Sequence, residues 1–356
     1  MKKISIVSLI LLLLSGCVTK QIVDEIQLAS SVGFDYVDDN MIRGTANVTV
    51  HKWKEEVEME TIFAVSTTTK DVGFLLNTKS SKPLHLGKLS SILISEELAR
   101  KMDIMEIIDT FTRNPAVGRR LFLAITSGPA YEMYNVEKLL ERNISMDIRE
   151  LIRNNIDKQN IPKTNFHVFL KQVYEIGQTP YLPYISKVED LVQITGIALL
   201  RQGSFVHKLD LDEAFTLKLL AEKFSNGFLD IVLPSGEKAV LRNIESKTKY
   251  KIEKNTNRPH ITIDVLFKGT VNEYTGDIID ENVMSEINRT VTKKIETDIQ
   301  NLLHLLQKLE LDPIGIGRRV KAVNYNFDIE EWNEHYKNMK FDVNVKTIIA
   351  GHGISK

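Results

Sequence analysis

From Val283 to Leu309 the chain carries one uninterrupted apolar stripe. Val283, Ile287, Val291, Ile295, Ile299, Leu302, Leu306 and Leu309 recur at spacings of three or four. Side chains at that spacing share one face of an α-helix, so the stretch predicts a helix of about seven turns, closed by Pro313. Such a stripe needs a surface as long as itself to lie on. The preceding segment supplies one. Leu229 to Val271 reads as strand, turn, strand, with Pro234-Ser235-Gly236-Glu237 as the turn. Ile261, Ile263, Val265 and Phe267 alternate as a half-buried strand does, and Gly269 marks a bulge or strand end. Ile329 to Lys337 reads as a short amphipathic helix and Phe341 to Ile349 as a last strand. The second half is thus expected to be an antiparallel sheet packed by one long helix.

The first half reads as mixed α/β. Strands are expected at 31–36, 44–50 and 56–67, with Asp38-Asp39-Asn40 turning between the first two. Asp71 to Leu76 opens a helix, and Leu89 to Ile94 is a short buried strand. Ser95 then caps Glu96-Glu97-Leu98-Ala99-Arg100, with acids in the first turn. Met105 to Phe111 is a helix ended by Asn114-Pro115, and Leu121 to Thr126 a strand. Helices follow over Ala130 to Tyr134, Val136 to Asn154 and Phe166 to Glu175. Thr179-Pro180-Tyr181-Leu182-Pro183 is held extended by its prolines and reads as a hinge. Leu191 to Leu200 and Phe205 to Leu209 form a hairpin through Gln202-Gly203, and Leu211 to Lys223 a helix. The fold class expected is α+β: a multi-domain, mixed α/β chain with antiparallel sheets.

The N-terminus carries a different signal. Met1-Lys2-Lys3 is basic, and Ile4 to Leu14 is apolar apart from Ser5 and Ser8. That run suits a signal peptide and is shorter than the roughly 20 residues a spanning helix needs. It ends in Leu14-Ser15-Gly16-Cys17, which resembles a bacterial lipobox. Small residues admit a peptidase, and the Cys17 thiol accepts a diacylglyceryl group through a thioether. Cys17 is the only cysteine of the 356 residues, so no internal disulfide competes for it. The expectation is a signal peptide over 1–16, cleavage between Gly16 and Cys17, and S-diacylglyceryl and N-acyl groups on Cys17. Two or more acyl chains anchor a protein stably to a membrane.

Composition removes other classes. Apolar residues make up 43% and charged residues 26%, as in ordinary globular proteins. With a net charge of −1 and no basic stripe, nucleic-acid binding is not expected. The eight histidines are scattered, and no nucleophile elbow or phosphate loop stands out. Gly315-Ile316-Gly317-Arg318 follows a helix and reads as a turn, and Asp38-Asp39-Asn40 reads as a hairpin turn rather than a cation loop. Arg113, Arg119 and Arg120 with Glu96 and Glu97 read as a solvated ion-pair cluster. Trp332 and Tyr336, one turn apart, are core or interface anchors. No catalytic residue, metal ligand or cofactor is assigned.

Four separated blocks together resemble the Ger(x)C lipoproteins, the C components of spore germinant receptors. They are the lipobox at Leu14 to Cys17; Ile92 to Arg100 with Ile108 to Pro115 and Arg119-Arg120; Thr195 to Leu200 with Lys208-Leu209; and Leu311 to Gly317 with Trp332 and Gly351. Their order over more than 300 residues carries the resemblance. The chain departs from the pattern at Val18-Thr19, where Trp-Asp is common, and at Leu200, where an aromatic is usual.

The resemblance implies a non-enzymatic lipoprotein on the outer face of the spore inner membrane. It would work with the A and B components of a nutrient germinant receptor. It also implies a division into a lipidated segment over 17–30, an N-terminal germination-protein region over 31–187 and a C-terminal one over 191–356. Direct small-molecule binding is left open. The competing reading is a lipid-anchored solute-binding protein of a transporter, which requires two doubly wound lobes.

Overall fold

The computed structural model describes residues 25–38, 40–51, 57–118, 120–135 and 144–351. The expected signal peptide, Gly16 and Cys17 lie outside these residues. So do Asp39, Arg119 and the first part of the helix expected from Val136.

A nine-stranded sheet organises the first two-thirds of the chain. Its strands are β1 (Gln27–Asp38), β2 (Met41–His51), β3 (Val57–Ser66), β4 (Leu84–His85), β5 (Ser91–Ser95), β6 (Phe122–Thr126), β7 (Tyr181–Val188), β8 (Leu191–Arg201) and β9 (Ser204–Leu209). The order is β3-β2-β1-β5-β6-β7-β8-β9, with β4 on β1. The middle four strands are parallel, and antiparallel hairpins flank them on both sides. The helices between the strands are α1 (Thr69–Lys79), α2 (Glu96–Lys101), α3 (Met105–Thr112), α4 (Ala130–Asn135), α5 (Ile144–Lys158) and α6 (Phe166–Tyr174). Ser95 caps α2 as expected, its hydroxyl accepting from the Leu98 N–H. The Gln202-Gly203 turn has both residues at positive φ, +47° and +88°, which matches the right-handed twist of the hairpin strands.

Two local expectations shift, and the expected division can be located on the sheet. β1 starts at Gln27, so residues 27–30 belong to the sheet rather than to a leading segment; Gln27 and Leu28 pair with β4. The division expected between 187 and 191 falls at the β7–β8 turn, inside one hydrogen-bonded sheet. The hinge expected at Thr179–Pro183 is not one. Tyr181 to Pro183 pair with Ile197 to Leu199, and Tyr181 and Leu182 are buried. Prolines enforce extension, and an extended segment beside a free strand edge becomes a strand.

After α7 (Leu211–Ala221) the chain builds a second sheet from β10 (Phe224–Ser225), β11 (Leu229–Val232), β12 (Lys238–Ile252), β13 (Ile261–Tyr274) and β14 (Phe341–Gly351). The Leu233–Glu237 turn closes as expected, with Leu233 N–H donating to Glu237 O at 2.8 Å. Gly269 lies inside β13 at the expected bulge: Asn243 and Ile244 of β12 together stand opposite it, one residue more than regular pairing allows. The long helix, α8 (Glu281–Lys308), buries Ile287, Val291, Ile295, Ile299, Leu302, Leu303 and Leu306. Its first turn is capped by Asp280. It is followed by α9 (Ile316–Lys321) and α10 (Ile329–Tyr336). β14 then pairs with β13 in parallel, so the second sheet is mixed. The three intervening helices form the crossover that a parallel pair requires.

Alternate residues of the central strands enter two different cores. Ile92, Ile94, Leu123 and Ile125 pack with α1 to α3. Leu93 and Ala124 face the other way, into a cluster that runs through α4, α5 and α7 to the second sheet and α8. Ala214 to Leu220 of α7 are all buried. One hydrophobic core therefore joins the two sheets, with α7 at its centre.

Candidate functional site

The fourth sequence block, Leu311 to Gly317, forms the seam between the sheets. The Asp312 carboxylate accepts the N–H of Gly315 at 2.8 Å and of Gly317 at 2.7 Å. These bonds fold the Asp312–Gly317 loop and set Gly315 at φ +74° as the cap of α9. The Asp312 carbonyl accepts the Thr179 N–H at 2.9 Å, and the Gly177 carbonyl accepts the Arg318 N–H at 2.8 Å. Gln178 adds a bond to Pro313 O. The segment leading into β7 is thus bonded, backbone to backbone, to the loop leading out of α8.

Two glycines make this approach possible. A Cβ on Gly177, already at φ +80°, would lie 2.6 Å from Arg318 N. A Cβ on Gly317 would lie 2.5 Å from the Trp332 ring nitrogen. Trp332 and Tyr336 are buried and close the seam from α10, with ring centroids 5.7 Å apart. The Tyr336 hydroxyl donates to Leu311 O at 2.9 Å. Their role is that of core anchors. Burial pushes the Asp312 carboxyl up to about 6, against the pull of its three backbone N–H donors and of Arg319.

A second cluster joins the second and third sequence blocks on the first sheet. The Glu96 carboxylate accepts Arg100 Nε at 2.7 Å and also the Tyr184 hydroxyl. Arg100 lies 4.3 Å from the Phe205 ring centroid, and Lys208 Nζ 4.8 Å from that of Tyr184. Burial, then the Glu96 carboxylate, raises the Tyr184 hydroxyl above its ordinary range. The ion-pair cluster expected of Arg113 with Glu96 and Glu97 does not form. Arg113 pairs with Asp109 at 2.8 Å, and Glu97 with Lys101, each one helical turn away. Short-range partners on the same helix cost less ordering than partners on another element.

Sequence reasoning missed two cations. Lys218, buried in α7, donates to the carbonyls of Ile156, Gln159 and Ile161 at 2.7 to 3.0 Å, satisfying the end of α5. Its signal was a lone lysine inside the apolar run Ala214 to Ala221. Arg201, at the end of β8, donates to Leu309 O at 2.6 Å and ties the first sheet to the end of α8. Nothing local marks it.

Among the described residues no group of three or more His, Cys, Asp or Glu is placed to hold a metal ion. Among them, too, no helix is long and apolar enough to cross a membrane.

Comparison with known proteins gives this geometry a family. The model of the spore germination protein N-terminal domain matches residues 19–187, and that of the spore germination B3/GerAC-like C-terminal domain matches residues 195–353. The boundary between the two matches lies at the β7–β8 hairpin, within the first sheet. Spore germination protein GerQC of Bacillus cereus is 30% identical over 347 residues, 96% of each chain. Spore germination protein B3 of Bacillus subtilis (strain 168) is 22% identical, over 98% of each. The crystal structure of the GerBC protein shares the fold, with a TM-score of 0.58 at 17% identity, covering 89% of this chain and 96% of that one. With relatives of this similarity aligned end to end, the chain belongs to the GerAC-like family of spore germination proteins.

Proposed function

We propose that this protein is the lipid-anchored, non-catalytic C-type subunit of a nutrient germinant receptor. The observation that carries the reading is family membership over both halves of the chain. The lipobox at Leu14 to Cys17 supports a signal peptide over 1–16 and an anchor on Cys17 at the outer face of the spore inner membrane. A division of labour between residues 31–187 and 191–356 is part of the same proposal, with the seam holding the two at a fixed angle. The A and B components of the receptor are the partners. Relatives bearing the names spore germination protein A3, B3 and KC support membership of such an assembly. The transporter-type reading required a second doubly wound lobe, and the second sheet is instead a β-meander with a helical crossover to β14.

The test is a pull-down from spore inner membranes through a tag after Lys356, with mass spectrometry. Recovery of A- and B-type components is expected, together with loss of this protein from the membrane fraction on Cys17→Ala. Recovery of transporter ATPase and permease subunits instead would overturn the reading. Deleting the gene should abolish one nutrient response and leave vegetative growth intact.

A further inference from the structure

The α9 side of the seam opens into a groove of about 880 Å³. Cations dominate its lining: Lys251, Lys254, Arg318, Arg319 and Lys321, against the single carboxylate of Glu175. Two of the five are compensated. Lys321 Nζ stands 3.6 Å from Glu175, and Lys251 Nζ 2.8 Å from Asp264. Arg318, Arg319 and Lys254 form no ion pair among the described residues. Asp312 attracts Arg319, but its oxygens are taken by the Gly315 and Gly317 N–H groups.

Both guanidinium Nε atoms, of Arg318 and of Arg319, are buried with no hydrogen-bond partner. A buried charged donor left without an acceptor is unfavourable, and native structures rarely keep one. The platform beneath them is tied to its neighbours. The Arg319 guanidinium lies 4.3 Å from the Tyr250 ring centroid, and the Tyr250 hydroxyl is held by Leu220 O at 2.7 Å. The backbone of Arg318 is held by Gly177.

We propose that this groove binds a phosphate-class oxyanion, with Arg318 and Arg319 as the recognising pair and Lys254 as a third charge at the rim. One phosphate-class anion, with several acceptor oxygens, supplies acceptors to both guanidinium groups and reduces the repulsion among three unpaired cations. The site depends on the seam geometry and not on the receptor reading, so either can fail alone.

The test is calorimetric titration of the full chain, in detergent, with two probes: inorganic pyrophosphate, and glycerophosphoglycerol as a soluble lipid headgroup. Saturable binding of one probe is expected, weakened about tenfold or more in Arg318→Gln/Arg319→Gln and unchanged in Lys70→Gln. Which probe binds distinguishes a free phosphate from a headgroup source. Should the double variant fail to fold, Lys254→Gln, at an exposed position, should weaken binding by a smaller factor. Absence of binding by either probe to the folded chain, or binding that the groove variants leave unchanged, would overturn the proposal.

Discussion

The two sheets solve the burial problem in different ways. In the first, β5 is buried at every position from Ser91 to Ser95, because helices cover both faces. In the second, β13 alternates buried and partly exposed residues from Ile261 to Val271, because α8 and its neighbours cover one face. The first is a three-layer core in which even polar side chains are enclosed. There Ser31, Ser91 and Tyr134 bond one another at 2.6 and 2.8 Å. The second keeps Lys251, Asp264 and Asn344 bonded together on its open face. A substitution is therefore felt from both sides in the first sheet and from one side in the second. The seam decides whether the two respond together.

Substitutions sharpen this comparison. Leu93→Ala, in the doubly covered sheet, should cost about 3–5 kcal/mol, read as a lower urea midpoint with unchanged slope. A loss below 1 kcal/mol would mean that β5 is not enclosed on both faces. Gly177→Ala places a Cβ against Arg318 N and should cost about 3 kcal/mol. It should also split a single calorimetric transition into two, since it loosens the seam while leaving both sheets intact. One sharp transition in that variant would show that the α7 core alone couples them.

The buried Asp312 adds a pH signature. Its folded-state pKa is raised to about 6 from an unfolded value near 3.8. The folded state therefore binds the proton more tightly. The stability so contributed is full below pH 4 and is lost as pH rises through 6. Relative to Asp312→Asn, the wild type should lose about 2–3 kcal/mol across that window, measured by urea melts at pH 4, 5 and 6. A constant difference between the two would place the carboxylate in water. The smallest effect is expected on the open face of the second sheet, where Thr262→Ala should shift stability by about 0.5 kcal/mol.

Much of the local structure was legible beforehand, and particular residues show why. The α8 stripe, the Ser95 cap, the Gln202-Gly203 turn and the Pro234–Glu237 turn each act within one helical turn or one hairpin. Their outcome depends on neighbours a few residues away, which a sequence displays. The four family blocks were visible as blocks. The long-range contacts around them were not: Glu96 with Tyr184 joins residues 88 apart, and Gly177 with Arg318 closer to 140. Arg201 had no local signature beyond charge, and Lys218 only its place inside an apolar run.

Periodicity, capping and turn chemistry thus settled which segments are helices and which are strands, because those preferences are paid within the segment itself. The parallel joining of β14 to β13, the conversion of an apparent hinge into a seam, and the gathering of Arg318, Arg319 and Lys254 in one groove were settled by packing. Each depends on which surfaces meet once the core closes around α7, and the free energy of that closure belongs to contacts between segments far apart in the chain.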